Sequence, residues 1–351
     1  MSSTLSDASS FISKAGSFSL LLRGGGCTQA LARTRHFASI LAATLAFAVA
    51  LTPAAAEDAL KVALGQRGNW ETAASELGRK AGIFRKRRLD LELLYTNGSA
   101  ETLQAVISGS VDIGIGLGTA AVMGAFSKGA PLRAIGNASA GSSEYWYVPA
   151  DSPMQTMADG NGKTIAYSTT GSSSHLIVLS LIKANGLFAR AVPTGSPAAT
   201  FTQVMSGQID VGWASPPFGL DAIADGKIRI VARGSDLPAF KDQTIRLIVA
   251  NAAVLERRRD VVARFVQGYR DTLDWMYSEP AALEAYAAFA NTMPEHAREV
   301  RDVYYPRDHL AVDYIKGLDS AMIDGIAFRA LAQPLSPADL DRLFAIPPPI
   351  R

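Results

Sequence analysis

The stretches LQAVISGSVDIGI at residues 103–115 and FTQVMSGQIDVGW at residues 201–213 follow one pattern, in which Ser-Gly, Asp and Gly recur at the same spacing. Each copy consists of a predicted helix end, a Ser-Gly turn and a short apolar strand. Each is followed by a second predicted strand, at residues 132–135 and 228–231. One supersecondary unit used twice, far apart in the chain, predicts two similar lobes rather than a solenoid.

Strands and helices alternate around the first copy. Residues 60–64 and 89–95 have the composition of strands, and residues 72–81 between them are predicted to form a helix. Such alternation is typical of parallel α/β layers. At 351 residues the chain has room for about two domains of ordinary size.

The repeated unit, a helix followed by Ser-Gly-x-Val/Ile-Asp-Ile/Val-Gly, resembles a feature of type II periplasmic binding proteins of ABC importers, in their nitrate, sulfonate, taurine and thiamine-pyrimidine-precursor branch. The resemblance covers about residues 60–274 and includes five further segments: GIF at 82–84, LDL at 89–91, ADSP at 150–153, GKTIA at 162–166 and GSSSH at 171–175. It implies an α/β fold with two similar three-layer lobes, joined by two crossover segments, and a helical C-terminal tail packed on lobe one.

The resemblance also divides the chain into segments. We expect a leader and signal peptide at residues 1–56, the first part of lobe one at 57–149, lobe two at 150–247, and the return to lobe one with the C-terminal helices at 248–351. Residues 145–149 and 245–249 are the predicted crossings between the lobes.

The first 56 residues have the features of an export signal. A basic cluster at residues 33–36 precedes an apolar run at 37–51, and three alanines at 54–56 form a small-residue cleavage site. The run is shorter than the about 20 residues of a membrane-spanning helix. We therefore expect cleavage after Ala56 and a periplasmic location. The alternatives are an uncleaved anchor, lipidation at Cys27, or a translation start within residues 1–32.

The charge and cysteine content exclude several classes of function. The net charge is +2, but the leader holds four of the 34 Lys and Arg residues and one of the 32 Asp and Glu residues, so the remainder is near neutral at −1. No basic field remains to attract nucleic acid. Cys27 is the single cysteine, so residues 57–351 have no disulfide, thiolate metal site or cysteine nucleophile. His175, His296 and His309 match no metal motif, and we expect neither metal nor cofactor.

In open parallel α/β lobes, ligands meet the carboxyl ends of strands and the helix starts beyond them. This rule selects four segments, with the predicted ligand-binding residues Gln66, Arg67, Asn69, Trp70, Leu117, Gly118, Thr119, Thr170, Gly171, Ser172, Ser173, Ser174, Trp213, Ser215 and Phe218. Additional candidates for the rim of the site are Asn137, Ser139, Tyr145 and Trp146.

The first two segments follow the first strand and the first repeat. Arg67 offers a guanidinium that can fork onto a carboxylate or sulfonate, unless it is a solvated loop residue beside a packed Trp70. Gly118 lets the backbone approach a ligand near a helix start. A dinucleotide loop is excluded there because the spacing is G-x-G-x-G and no acidic residue follows until Glu144.

The last two segments belong to the second lobe. Residues 170–174 combine hydroxyls with a helix start and form the best predicted anion site, although plain N-capping needs only one of the serines. His175 is expected to be structural. Trp213 and Phe218 supply an apolar wall for a small ligand, or alternatively pack between the lobes.

Together with these features, the resemblance implies that the chain is the extracytoplasmic solute-binding component of an ABC importer, which captures a small organic anion such as a sulfonate, taurine or nitrate by hinge closure. Its partners would be the ligand, a permease and an ATPase, and the protein would be a monomer without enzymatic activity. A pyrimidine-like or other neutral heterocycle is the alternative ligand, since Trp70, Trp146 and Trp213 can stack on a ring. A biosynthetic enzyme or a sensor of the same fold is the remaining alternative. Thiamine-pyrimidine synthases resemble this branch but carry a cysteine-rich motif that residues 57–351 lack.

Overall fold

The computed structural model describes residues 57–350. The predicted leader at residues 1–56 and its cleavage site lie outside the described residues. Within residues 57–350, no helix combines the length and the hydropathy needed to cross a membrane.

Strands and helices alternate along most of the described chain. The strands are β1 (Asp58–Gly65), β2 (Leu89–Thr96), β3 (Ile113–Gly118), β4 (Leu132–Ala140), β5 (Tyr145–Pro149), β6 (Thr164–Tyr167), β7 (Arg190–Pro193), β8 (Gly212–Ala214), β9 (Ile228–Arg233) and β10 (Thr244–Asn251). The helices are α1 (Trp70–Lys80), α2 (Ile83–Lys86), α3 (Ser99–Ser108), α4 (Thr119–Ser127), α5 (Ser173–Ala184), α6 (Pro197–Met205), α7 (Leu220–Ala224), α8 (Ala252–Arg257), α9 (Arg259–Ser278), α10 (Pro280–Ala290), α11 (Pro294–Glu299), α12 (Leu318–Ala327) and α13 (Pro337–Leu343).

Lobe one is built on a five-stranded sheet with the order β2-β1-β3-β10-β4. Strand β1 runs parallel to β2 and β3, whereas β10 runs antiparallel to β3 and β4. Alternate side chains of β1 enter different cores: Val62 packs with α1 and α9 on one face, and Ala63 packs with α3, α4 and α12 on the other. The lobe therefore has three layers, as predicted.

Lobe two contains a three-stranded sheet with the order β8-β5-β9 and the parallel pair β6-β7. A bridge between Ile165 and Val211 connects the two sets of strands. Its core includes Ile177 of α5, Val204 of α6 and Trp213 of β8. The mixed α/β fold with two lobes confirms the predicted fold class.

The repeat forms the same local structure in both lobes. In each copy a helix, α3 or α6, ends at or just before the serine of the Ser-Gly pair, whose glycine has a φ of 74°. The aspartate that follows then accepts a hydrogen bond from the backbone of the first strand of its own lobe. Asp112 Oδ2 lies 2.8 Å from the amide of Lys61, and Asp210 Oδ2 lies 2.8 Å from the amide of Thr164. The repeated motif thus ties each helix-strand unit to its sheet.

The crossings lie a few residues from their predicted positions. Residues 145–149 form β5 of lobe two, and residues 245–249 belong to β10 of lobe one. The chain changes sheet in residues 141–144 and again in residues 234–243, and the two segments are hydrogen bonded to each other at Ser142 N and Phe240 O. An apolar pattern predicts a strand but not the sheet in which that strand pairs. The predicted crossings therefore fell on strands instead of on the connecting segments. The lobe limits at residues 149 and 247 remain proposals.

The C-terminal helices pack on lobe one, as predicted. Five residues of α9 with amphipathic spacing are buried in the core shared with β1: Val262, Phe265, Val266, Tyr269 and Leu273. Pro280 and Pro294 occupy the first positions of α10 and α11, where the missing N–H has no helical partner to lose.

Candidate functional site

A narrow cleft between the two lobes is lined almost entirely by polar groups and glycines. Its lining residues are Gly65, Gln66, Asn69, Glu71, Gly98, Ser99, Gly116 and Arg246 from lobe one, Glu144 from the first crossing, and Ser168, Ser172, Ser173 and Trp213 from lobe two. The free space between them is about 20 Å³. The cleft lies beyond the carboxyl ends of β1 and β6, at the edge that the strand-end rule selects.

A buried charge cluster forms the floor of this cleft. The Arg246 guanidinium bonds Glu71 Oε1 through Nη1 and Glu144 Oε1 through Nη2, the latter at 2.6 Å. Its Nε donates to Ser173 Oγ at 3.1 Å. The side chain of Arg246 is 7% exposed and those of both glutamates 1%, so water screens these charges little. The cluster joins lobe one, the first crossing and lobe two.

Electrostatics keep Arg246 charged. Burial lowers the pKa of its guanidinium, but the charges of Glu144 and Glu71 raise it, and the net result is a pKa above the ordinary value. Two carboxylates face one guanidinium, so the cluster carries a formal charge of −1. The sequence analysis did not select these three residues. The available signal was Arg246 itself, since a charge within the apolar strand TIRLIVAN must be paired when it is buried.

The serine-rich segment caps α5 and also faces the cleft. Ser172 is the N-cap, and its Oγ accepts a hydrogen bond from the amide of His175 at 3.2 Å. Ser173 Oγ donates to Glu144 Oε1 at 2.7 Å. Ser174 Oγ bonds the amide and the hydroxyl of Ser168 at 3.0 and 2.9 Å and does not line the cleft. Capping and cleft lining therefore coexist in the predicted segment.

The neighbours of this segment are more structural. Thr170 Oγ1 approaches Tyr167 OH at 3.5 Å and lies outside the cleft lining. The amide of Gly171 donates to His175 Nδ1 at 3.2 Å. Burial lowers the pKa of His175 below its ordinary 6.5, and a neutral ring is what this acceptor role requires.

Some residues of the loop after β1 line the cleft, whereas Arg67 lies on the protein surface. Gln66 and Asn69 line the cleft, and Asn69 Nδ2 donates to Gln66 Oε1 at 3.2 Å. Arg67 is exposed instead, and its guanidinium lies over the rings of Tyr95 and Phe289, 5.4 and 5.2 Å from their centroids.

The aromatic residue that was predicted to bind from this loop, Trp70, is part of the core instead. Trp70 is fully buried, donates from Nε1 to Tyr277 OH at 3.0 Å and packs edge-on against Tyr286. Neither Trp70 nor Arg67 lines the cleft.

The segment after the first repeat forms a close backbone contact between the lobes. A Cβ at Gly118 would lie only 2.7 Å from the carbonyl oxygen of Gly171, so the two backbones touch. Leu117 is buried in the core of lobe one, and Thr119 Oγ1 donates to the carbonyl of Thr244 at 2.7 Å. Gly116 lines the cleft in their place, with a φ of 84° that favours glycine.

The segment after the second repeat contributes Trp213 to the cleft. Its Nε1 donates to Thr194 Oγ1 at 3.2 Å, which fixes the indole ring. Ser215 Oγ is engaged by Tyr305 OH at 3.1 Å. The ring of Phe218 packs against Gly68 of the other lobe, 3.2 Å from where a Cβ would stand.

The four candidate rim residues have internal partners and do not line the cleft. Asn137 donates to the carbonyl of His309, Ser139 to that of Ala140, Tyr145 to that of Phe218 and Trp146 to that of Ala166.

Two acceptors in the cleft wall have no hydrogen-bond partner among the described residues. They are Glu71 Oε2 and Asn69 Oδ1, both buried. Glu71 and Asn69 are 1% and 2% exposed. Within residues 57–350, no group of three or more His, Cys, Asp or Glu residues is arranged to hold a metal ion.

The family assignment rests on the sequence profile described as NMT1/THI5 like, which matches residues 72–283, more than half of the chain. The chain belongs to the NMT1/THI5-like family. This assignment confirms the resemblance inferred from the repeat.

The NMT1/THI5-like chain is also similar to individual proteins. It is 29% identical, over 202 residues, to a protein of Escherichia coli (strain K12) named for the binding of aliphatic sulfonates. The match covers 55% of the chain and 59% of that relative, so the chain spans about three fifths of the relative's length.

Solved structures share the fold. The alkanesulfonate-binding protein SsuA from Xanthomonas axonopodis pv. citri, bound to MOPS, superposes with a TM-score of 0.68 at 21% identity, covering 79% of this chain and 96% of SsuA. The periplasmic aliphatic sulphonate binding protein SsuA from Escherichia coli gives 0.64 at 18% identity, covering 84% and 94%. The desulfurization enzyme DSZB gives 0.60 at 16% identity, covering 82% and 96%. The same fold therefore occurs in binding proteins and in an enzyme.

Proposed function

We propose that this chain is the solute-binding component of an ABC importer in the periplasm, and that it binds a small organic sulfonate or a related ligand between its lobes. The observation that carries the proposal is one narrow cleft to which both lobes and a crossing contribute polar side chains. Family membership and the relatives named for sulfonate binding support it. A permease with its ATPase would be the partner, and the protein would act as a monomer.

Ligand entry requires the lobes to separate. The free space of about 20 Å³ is little more than one water molecule needs, and far less than a sulfonate occupies. The backbones of Gly118 and Gly171 already touch across the cleft. The proposed motion is a hinge rotation about the crossings at residues 141–144 and 234–243.

The start of α5 is the proposed position of the sulfonate group. Ser172 and Ser173 line the cleft there, and the first amides of an α-helix have no partner within the helix and favour an anion. The cation of the cleft is Arg246, since Arg67 lies outside the lining. Nitrate and taurine remain candidate ligands on the same grounds.

A pyrimidine-like heterocycle is the second candidate. Trp213 is the one aromatic side chain among the cleft-lining residues of the described chain, and an indole can stack on a planar ring. The carboxylate of Glu71, which also lines the cleft, can accept a hydrogen bond from a ring amino group. Trp70 and Trp146 do not line the cleft and add nothing to this candidate.

Binding without catalysis is favoured over enzymatic activity. DSZB shows that the fold can support an enzyme, but residues 57–351 contain no cysteine nucleophile. The carboxylates of the cleft are engaged with Arg246 and Ser173 instead of being arranged around a nucleophile. A sensor would use the same cleft, and interaction with a permease distinguishes it from an importer component.

A thermal-shift screen tests the proposed function. The purified protein is heated with sulfonates, nitrate, carboxylates and pyrimidines in phosphate buffer, because MOPS is itself a sulfonate. A true ligand at one hundred times its Kd adds about 2.7 kcal/mol to the free energy of unfolding. The double variant S172A/S173A should lose at least about tenfold in affinity, because hydrogen bonds to charged groups contribute about 1.5–3 kcal/mol.

A matched control is the variant S108A/S206A, which removes two hydroxyls from the exposed repeat turns, away from the cleft. It should keep the affinity of the parent protein. If no compound of the panel raises the melting temperature, the proposed function is wrong.

A further inference from the structure

The C-terminal tail does more than pack on lobe one, because residues 296–305 also reach lobe two. Tyr305 is buried, and its hydroxyl lies 2.8 Å from Ser143 Oγ in the first crossing and 3.1 Å from Ser215 Oγ after β8. The carbonyl of Tyr305 accepts a hydrogen bond from Tyr277 OH of α9. One residue of the tail therefore contacts lobe one, a crossing and lobe two.

The hydroxyl of Tyr305 has the protonation state that these bonds need. Burial raises the pKa of Tyr305 far above its ordinary value, so the phenol stays neutral. Ser143 Oγ donates to this hydroxyl, whose own proton is available for Ser215 Oγ. The two serine hydroxyls also lie 3.2 Å apart, so the three groups form a closed network at the boundary of the lobes.

Neighbouring residues extend the contact between the tail and lobe two. Arg233 at the end of β9 donates from Nη1 to Tyr304 OH at 3.1 Å, and its guanidinium lies over the tyrosine ring, 5.6 Å from the centroid. Nδ1 of His296 lies 2.8 Å from Oδ1 of Asp221 in α7, although not in the orientation of a hydrogen bond. Leu220, beside Asp221, is buried in the core shared with β1.

The backbone of the tail is unusual where these contacts are made. Val300–Tyr304 is a turn of π-helix directly after α11. Such turns are rare and occur frequently at functional sites. This one ends where two successive tyrosines contact different parts of lobe two, Tyr304 at the end of β9 and Tyr305 after β8.

We propose that residues 296–305 form a tail clasp, a third connection between the lobes that stabilises their closed arrangement in the absence of ligand. The two crossings join the lobes covalently and persist at any hinge angle. The bonds from Tyr304 and Tyr305 to lobe two hold only while the lobes are together. The strength of the tail clasp therefore sets the fraction of ligand-free molecules that are open.

Spin labels on the two lobes measure this fraction without ligand. Gln104 of α3 and Ala199 of α6 are exposed, and the labels are attached to Gln104→Cys and Ala199→Cys in a Cys27→Ser background. Tyr305→Phe should lower the ratio of closed to open molecules about threefold or more, because a hydrogen bond between the lobes is lost.

Tyr286→Phe is the matched control. Tyr286 is also buried, but its hydroxyl donates to the carbonyl of Gly68 within lobe one at 2.9 Å. This variant should leave the ratio unchanged. Tyr304→Phe removes the hydrogen bond from Arg233 and should shift the ratio in the same direction as Tyr305→Phe. It keeps the test valid if Tyr305→Phe does not fold.

Hydrogen exchange detects openings that are too rare for the spin labels. The amide of Ala100 donates to Thr169 Oγ1 of the other lobe at 3.4 Å, so its exchange depends on separation of the lobes. It should exchange about threefold or more faster in Tyr305→Phe than in the parent, and at the parent rate in Tyr286→Phe.

The outcomes decide between a tail clasp and a merely structural tail. An unchanged ratio and exchange rate in both Tyr305→Phe and Tyr304→Phe overturns the inference, even if the melting temperature falls. An equal shift in Tyr286→Phe overturns it as well. All these measurements are made without ligand, so their result does not depend on the proposed function.

Discussion

Arg246 supplies the positive charge that balances the two buried carboxylates of the cleft. Arg246→Met leaves two buried carboxylates without their cation, and breaking a buried pair costs about 3–5 kcal/mol. We expect the free energy of unfolding in urea to fall by that amount. Arg79→Met is the control, because Arg79 is 44% exposed and pairs with Glu76 on one helix, where a surface ion pair contributes about 1 kcal/mol or less. Equal losses in both variants would contradict the role given to the cluster.

His175 makes stability depend on pH. The pKa of its folded form lies below 6.5, so the unfolded chain takes up a proton first as the pH falls. Its contribution to stability is therefore complete above about pH 7 and is lost progressively as the pH drops below 6.5. His175→Gln, which keeps an acceptor for the amide of Gly171, should lose less stability between pH 7.5 and 5.5 than the parent. Parallel curves for the two proteins would rule out this residue as the source.

The sequence analysis selected several residues that line the cleft, but it missed the three charged residues of the cleft floor. Ser172 and Ser173 follow β6 and Trp213 lies in the short strand β8; all three were selected from the strand-end rule and all three line the cleft. Glu144 and Glu71 lie 102 and 175 residues from Arg246 along the chain, and no local pattern links the three. Whether any of the selected residues binds a ligand stays a prediction.

Among the structural elements, the junction of β3 and α4 sets how closely the lobes approach. Gly118 has a φ of −58°, which any residue adopts, so Gly118→Ala should fold normally. Its new Cβ would stand 2.7 Å from a backbone oxygen of lobe two, and relieving such overpacking costs about 1–3 kcal/mol. We expect about a tenfold loss in ligand affinity by calorimetry, with a similar melting temperature without ligand.

Gly98→Ala is the matched comparison for this variant. Its Cβ would meet the side chain of Thr169 at 3.0 Å, and a side chain can move aside where a backbone carbonyl cannot. The affinity should fall less than in Gly118→Ala. The reverse order would show that contact between the lobes does not control binding.

The elements themselves were largely predictable because their signals are local. The Ser-Gly turn, the aspartate and the alternating strands repeat in the sequence, and both copies fold as the pattern indicates. The crossings were displaced because membership of a sheet depends on pairing with distant strands. The apolar segment Tyr145–Pro149 was predicted to be a crossing between the lobes. It is instead a strand of lobe two that pairs with β8 and β9.

At the scale of the whole molecule, ligand binding should compact the protein. We expect a smaller radius of gyration by X-ray scattering at saturating ligand, and slower hydrogen exchange in residues 141–144 and 234–243, where the chain passes between the lobes. Exchange in the core strand β1 should stay unchanged and serves as the internal control. Identical profiles with and without a verified ligand would count against hinge closure.

The bonds of Arg246 also have a kinetic consequence. They join both lobes and a crossing through the chain's own side chains, so the lobes can also close without a ligand, and a ligand can enter only the molecules that are open. Part of the stopped-flow signal should then appear in a second phase, whose rate levels off at the opening rate of the closed, empty molecules as ligand concentration rises. For that fraction of the protein, uptake would run at a pace set by how often one guanidinium releases its partners, and the supply of solute would matter only below that limit.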